Sequence, residues 1–153
     1  MGLLAPLALS LTVSAMPAAA QLMLGGADAA IVADLAFRHG GAELMRDVIN
    51  WPTINATNAQ GHAYEIDFQA CGDGDDCQSL WFLARFASSR LTLDQVNAFN
   101  RDYLFARAYL TSDGQAILQM DVSLDPPVSH DWLDGQFRIW SQLLNLFAEL
   151  AGG

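Results

Sequence analysis

The stretch from His62 to Phe86 restricts the fold more than any other part of the chain. His62-Ala63-Tyr64-Glu65-Ile66-Asp67-Phe68 alternates cleanly, with Tyr64, Ile66 and Phe68 on one side and Glu65 and Asp67 on the other. That period of two belongs to a strand with one buried and one solvated face. Cys71-Gly72-Asp73-Gly74-Asp75-Asp76-Cys77 comes next, and then Leu80-Trp81-Phe82-Leu83-Ala84-Arg85-Phe86, an almost unbroken apolar run suited to a sheet centre. Strand, tight polar loop and strand make a β-hairpin, with a cysteine on each side of its tip. In an oxidising compartment two cysteines at this spacing pair readily. The chain-entropy model values so small a loop at about 2 kcal/mol. Two rival readings stay open: free or redox-active thiols, and a calcium loop using Asp73, Asp75 and Asp76. The calcium loop lacks the glutamate that an EF-hand places at its twelfth position. Zinc would want four soft ligands, and His39, His62 and His130 are neither clustered nor at ligand spacing. The disulfide is the preferred reading.

Export is the compartment that such a bridge requires, and the N-terminus fits it. Met1 to Ala27 carries no charged side chain, Leu3 to Val13 is apolar, and Ala18-Ala19-Ala20 comes just after the helix-breaking Pro17. This is a signal-peptide pattern with cleavage expected between Ala20 and Gln21, leaving residues 21–153 as one domain. The positive charge that usually precedes the apolar run is missing, so an uncleaved membrane anchor is the alternative. Pro6, Pro17 and Gly25-Gly26 argue against one continuous spanning helix. The expected location is periplasmic or secreted, with no stable membrane insertion once the leader is removed.

The remaining segments place three helices around the strands. Asp28 to Phe37 reads as a helix with Ile31, Val32, Leu35 and Ala36 on one side, stopped by Gly40-Gly41. Glu43 to Val48 reads as the start of a strand, and Pro52 confines the next segment to an edge or a turn. Thr92 and Gln95 form a capping box ahead of Val96, Phe99 and Tyr103. Leu104–Leu110 and Ala116–Leu124 read as strands joined at Asp113-Gly114, a strong hairpin turn. Ser129 caps a last helix reaching about Leu150. The expected fold is α+β: an antiparallel sheet of about five strands with three helices, in the order α-β-β-β-α-β-β-α. In the last helix Leu133, Phe137, Trp140, Leu144 and Phe147 form one stripe, and Trp132, Ile139, Leu143, Leu146 and Leu150 form a second. Together they cover about half the circumference, more than an ordinary surface helix buries. Either the helix lies deep in the core, or part of the second stripe is an interface with a partner or a second copy.

A search for catalytic chemistry returns nothing. No glycine-rich phosphate loop, paired metal-binding histidine motif or nucleophile elbow is present. Ser129-His130-Asp131 are adjacent at a helix start and cannot converge as a triad. Glu65 and Asp67 read as solvated charges rather than a catalytic pair. A net charge of −10, with seven arginines and no lysine, opposes binding to nucleic-acid phosphates or anionic lipid headgroups. No cofactor, metal or enzymatic activity is expected.

From Tyr64 onward the chain resembles the YbjN family of bacterial domains described as sensory-transduction regulators. The resemblance is carried by Phe68-Gln69-Ala70-Cys71 with the acidic loop to Cys77, and by Val96-Asn97-Ala98-Phe99-Asn100-Arg101. Phe105-Ala106-Arg107-Ala108-Tyr109-Leu110, Asp113-Gly114 and Leu118-Gln119-Met120-Asp121-Val122 extend it. The resemblance covers roughly residues 28 to 150 and implies a fold like that of type III secretion chaperones. It implies no catalytic residues. Within it Asn97, Asn100, Arg101, Arg107 and Asp121 are polar residues in apolar surroundings, read first as a structural network and second as a recognition surface. The expected function is an exported, non-catalytic protein-binding or regulatory module, in envelope signalling or as a chaperone-like adaptor, with a protein or a second copy as partner. The alternative is a calcium or small-ligand sensor built on the 71–77 loop.

Overall fold

The computed structural model describes residues 23–24, 28–46, 51–72, 77–87 and 90–152. The leader 1–20, its expected cleavage point and the loop aspartates Asp73, Asp75 and Asp76 lie outside them. The elements are β1 (Met23–Leu24), α1 (Ala29–Arg38), β2 (Gly40–Arg46), β3 (Pro52–Asn58), β4 (Ala63–Cys71), β5 (Cys77–Phe86), α2 (Leu93–Asp102), β6 (Arg107–Leu110), β7 (Ala116–Ser123), β8 (Val128–Ser129) and α3 (His130–Ala151). Six strands form one antiparallel sheet in the order β2-β3-β4-β5-β7-β6, and β1 pairs with β8 in a separate two-stranded ladder. The fold class is the expected α+β, with one more strand in the sheet than the five anticipated.

The segment after Pro52, expected as an edge or a turn, is the full strand β3, and β2, expected from Glu43, begins already at Gly40. Gly40 and Gly41 do end α1, but they also open a strand that runs beside β3, Gly40 opposite Asn58 and Arg46 opposite Pro52. A Cβ on Gly40 would lie 1.8 Å from the Thr57 carbonyl oxygen, so only glycine permits this approach. Pro52 does not confine its strand to an edge. It occupies the first position of β3, which lies between β2 and β4. A proline tolerated at a strand start costs no ladder hydrogen bond further along. In the other direction, the strand expected from Leu104 begins only at Arg107, because Phe105 turns the chain with φ 73°.

Local capping fixes the helix starts. Asp28 accepts from the amides of Ala30 and Ile31, Thr92 and Gln95 cap α2 reciprocally, and Ser129 accepts from Trp132 N at 3.1 Å. All three helices pack on one face of the sheet. There Tyr64, Ile66, Phe68, Leu80, Phe82, Leu118 and Met120 meet Leu35 of α1, Phe99 of α2 and the α3 stripe Leu133, Phe137, Trp140, Leu144 and Phe147. Every residue of that stripe is fully buried. Phe82 is the hub, lying edge-on to Phe137 at 5.0 Å and near Trp140 at 5.7 Å. Each such ring contributes roughly 1.5–3 kcal/mol by leaving water.

Candidate functional site

The alternation that buries one sheet face sends its complement to the other, and among the described residues no helix covers that second face. Antiparallel register sets Met45, Thr53, Asp67, Trp81 and Asp121 in one row across β2, β3, β4, β5 and β7. The next row holds Glu43, Asn55, Glu65, Leu83, Gln119 and Arg107. Met45, Trp81 and Tyr109 remain about 40% exposed here (43%, 39% and 39%). Polar contacts hold this surface in shape. Asp67 accepts from Thr53 Oγ1 at 2.9 Å, Arg85 pairs with Glu65, and Arg107 pairs with Asp121 at 2.8 Å. Where side chains shrink to Gly41, Thr57 and Ala63, the face dips into a cavity of about 540 Å³, rimmed by Glu43, Asn55, Glu65 and Arg85. Glu65 and Asp67 thus lie on the face away from the helices, each tied to a neighbour.

The Cys71–Cys77 bridge lies at one end of this sheet. The two residues are register partners of β4 and β5, with their Cα atoms 3.7 Å apart, and the bridge links the strands across the hairpin tip. Among the described residues no group of three or more His, Cys, Asp or Glu side chains could hold a metal ion.

The five polar residues of the expected network separate. Asn100 faces the edge strand β6 and imitates a strand partner: its Nδ2 donates to Ala108 O at 2.9 Å and its Oδ1 accepts from Ala108 N at 2.7 Å. Arg107 and Asp121 pair across the β6–β7 hairpin, with Gln119 Nε2 also donating to Asp121 at 3.1 Å. Arg101 pairs with its neighbour Asp102 on the exposed side of α2, and Asn97 is exposed. No single cluster joins all five.

The second α3 stripe also separates. Leu143 is buried in the core and Ile139 packs half-buried against it, while Trp132, Leu146 and Leu150 stay exposed. Leu146 and Leu150 line a groove of about 490 Å³ with Ala98, Phe99 and Tyr103 of α2 and its C-cap, bordered by Asp102 and Glu149. Leu104 and Phe105, the next two residues in sequence after Tyr103, are among the most exposed apolar side chains described.

A polar junction between α1 and α3 escaped the sequence reading. His39 Nε2 meets Asp134 Oδ1 at 2.9 Å, its ring stacks on Phe137 at 5.3 Å, and Arg138 pairs with the same carboxylate. The His39 hydrogen bond and the nearby arginines hold the Asp134 carboxyl below the usual range. Arg38 donates to His130 Nε2 at 2.8 Å, while His130 Nδ1 is 3.9 Å from Asp131, so the Ser129-His130-Asp131 triplet serves packing and capping. Nothing local in the sequence links residues so far apart.

Residues 54–151 match the model of the YbjN family, "Putative bacterial sensory transduction regulator", and the chain belongs to that family. Among solved structures, the Yersinia pestis type III secretion chaperone SycH, crystallised with a stable fragment of YscM2, shares the fold. Its TM-score is 0.53 at 16% identity, covering 80% of this chain and 98% of that one. Comparison of the sequence with curated proteins gives no match. The likeness to SycH establishes the architecture, while the assignment of regulatory kind comes from the family.

Proposed function

We propose that this chain is an exported, non-catalytic protein-binding module of the regulatory kind its family describes. The observation that carries the reading is the α2–α3 groove, where Leu146, Leu150 and Tyr103 stay exposed beside a well-filled core. Exposed apolar side chains gathered in one groove mark interaction surfaces more often than isolated ones do. SycH, with the same architecture, was crystallised with a protein fragment, which supports the class of activity without naming a partner. The disulfide and the uncharged, alanine-rich leader support export. Dimerisation through the groove and capture of a different envelope protein are both forms of this reading.

The test is crosslinking and pull-down with the oxidised protein, together with its Leu146→Asp/Leu150→Asp variant. The expected result is a complex, with a second copy or another protein, that the double variant loses while its melting temperature stays near that of the parent. A strictly monomeric protein that captures nothing would overturn the reading. Mass spectrometry of the protein recovered from the envelope checks the leader, with Gln21 the expected first residue.

A further inference from the structure

We propose that the open sheet face is a docking site for an extended, basic protein segment that presents arginine or lysine at every third position. The inference extends the protein-binding reading and rests on it, but it assigns a different surface from the α2–α3 groove.

Negative charge on this face is carried by alternate strands. On the open face β2 contributes Glu43, β4 contributes Glu65 and Asp67, and β7 contributes Asp121. The strands between them contribute no carboxylate to these rows: β3 gives Thr53 and Asn55, and β5 gives Trp81 and Leu83. Acidic strands are therefore two strand spacings apart, about 9.6 Å. An extended polyproline II segment repeats every three residues, about 9.3 Å. A chain laid across the strands would bring one side chain in three opposite each acidic strand, and the intervening positions over the neutral ones.

Charge decides the sign of the partner. The two arginines of this face are already neutralised, Arg85 by Glu65 and Arg107 by Asp121, and neither Glu43 nor Asp67 is paired with a cation among the described residues. The chain as a whole carries −10. The surface therefore attracts cations and repels anions. Trp81 supplies the second element of recognition. Its register partners are Asp67 on one side and Asp121 on the other, so an exposed indole lies between two carboxylates. A guanidinium over that ring would combine a cation–π contact with a charge-assisted hydrogen bond to Asp67, the carboxylate beside Trp81 that no described cation neutralises. Met45 and Tyr109 offer further exposed apolar surface towards the two edges of the sheet.

The experiment is fluorescence anisotropy with a fluorescein-labelled peptide of four Arg-Pro-Ser repeats. The comparison peptide has the same composition with its arginines grouped at one end. The inference expects saturable binding of the repeat peptide, at least fivefold weaker binding of the grouped one, and loss of affinity between 20 mM and 200 mM salt. Trp81→Ala and the Glu43→Gln/Asp67→Asn pair should each weaken binding at least tenfold, whereas Leu146→Asp/Leu150→Asp should leave it unchanged. No saturable binding, equal binding of both peptides, or indifference to Trp81→Ala overturns the inference. Should a captured partner depend on Leu146 and Leu150 but not on Trp81, this inference falls and the protein-binding reading stands. Dependence on neither surface removes both.

Discussion

Asn100 gives the sharpest structural test, because one side chain substitutes for a missing strand. Ala108 sits on β6, the edge of the sheet, and is itself buried, so its amide and carbonyl cannot turn to water. Asn100 satisfies both, at 2.7 Å and 2.9 Å. Asn100→Ala removes two hydrogen bonds worth about 1 kcal/mol each and strands two backbone groups, each of which costs about 1–3 kcal/mol when left unpaired and buried. Because α2 can shift slightly to admit water, the lower half of that range is the better expectation, about 2–4 kcal/mol. For a domain of this size that corresponds to a fall in melting temperature of roughly 6–15 °C. Asn100→Asp is the control: its carboxylate can still accept from the amide but cannot donate to the carbonyl, and should cost about as much. Urea unfolding followed by circular dichroism measures both, and a change in midpoint without a change in slope would localise the effect to the native state. A loss below about 0.5 kcal/mol for Asn100→Ala would refute the role as a surrogate strand partner and return Asn100 to the recognition candidates.

Four other outcomes are expected. Reducing the Cys71–Cys77 bridge should lower stability by about 2 kcal/mol, since it closes a loop of only six residues' separation, and urea midpoints with and without dithiothreitol measure it. Gly40→Ala should destabilise by several times the roughly 1 kcal/mol of an ordinary glycine effect, because its Cβ meets a backbone oxygen rather than a movable side chain; a melting temperature within about 3 °C of the parent refutes this. Tyr64→Phe should leave stability unchanged or raise it, since the Tyr64 hydroxyl is buried with no hydrogen-bond partner among the described residues and burial pushes its pKa up; a loss above about 1 kcal/mol would reveal a partner. Asp134 has a lowered folded-state pKa, so it stabilises the fold above the unfolded carboxylate range and loses that contribution as pH falls through its folded value. Asp134→Asn should therefore flatten the acid limb of a plot of melting temperature against pH, and an unchanged slope below about pH 5 argues against the His39 contact.

How far these features could be read in advance depends on the range over which each is specified. The β4–β5 hairpin, the capping box at Thr92 and the α3 stripe are written within a few residues, by a period or a cap, and they appear where the sequence places them. The start of β2 was placed too late, at Glu43, because Gly40 and Gly41 read as a helix stop, and only the Thr57 carbonyl across the ladder shows why the strand needs glycine at position 40. The second α3 stripe was ambiguous for a related reason. Periodicity places Leu143 and Leu146 on one side, but the neighbours that bury the first and spare the second come from elsewhere in the chain. The His39–Asp134 pair spans ninety-five residues and leaves no local trace.

The open sheet face was legible only in part, and the reason bears on its function. In β4 the alternation marks Glu65 and Asp67 as outward, because polar and apolar residues take turns. In β5 the run from Leu80 to Phe86 is apolar at nearly every position, so the sequence reads as a strand buried on both sides. Among the described residues helices cover only one side: Leu80, Phe82 and Ala84 are buried beneath them, while Trp81 faces outward between Asp67 and Asp121. Leu83 and Ile117, also on the outward side, are buried as well. An apolar outward position that its neighbours shield is compatible with solvent, but a large indole left about 40% exposed in the middle of a sheet keeps apolar surface that the fold of the isolated chain does not bury. Replacing Trp81 with threonine, a good strand former, should therefore cost only the partial burial of the indole, about 1–2 kcal/mol, while abolishing capture of a basic segment. If stability instead fell by about 3 kcal/mol or more, as for a buried aromatic, Trp81 would be a core residue of the sheet, and the docking face would lose its centre.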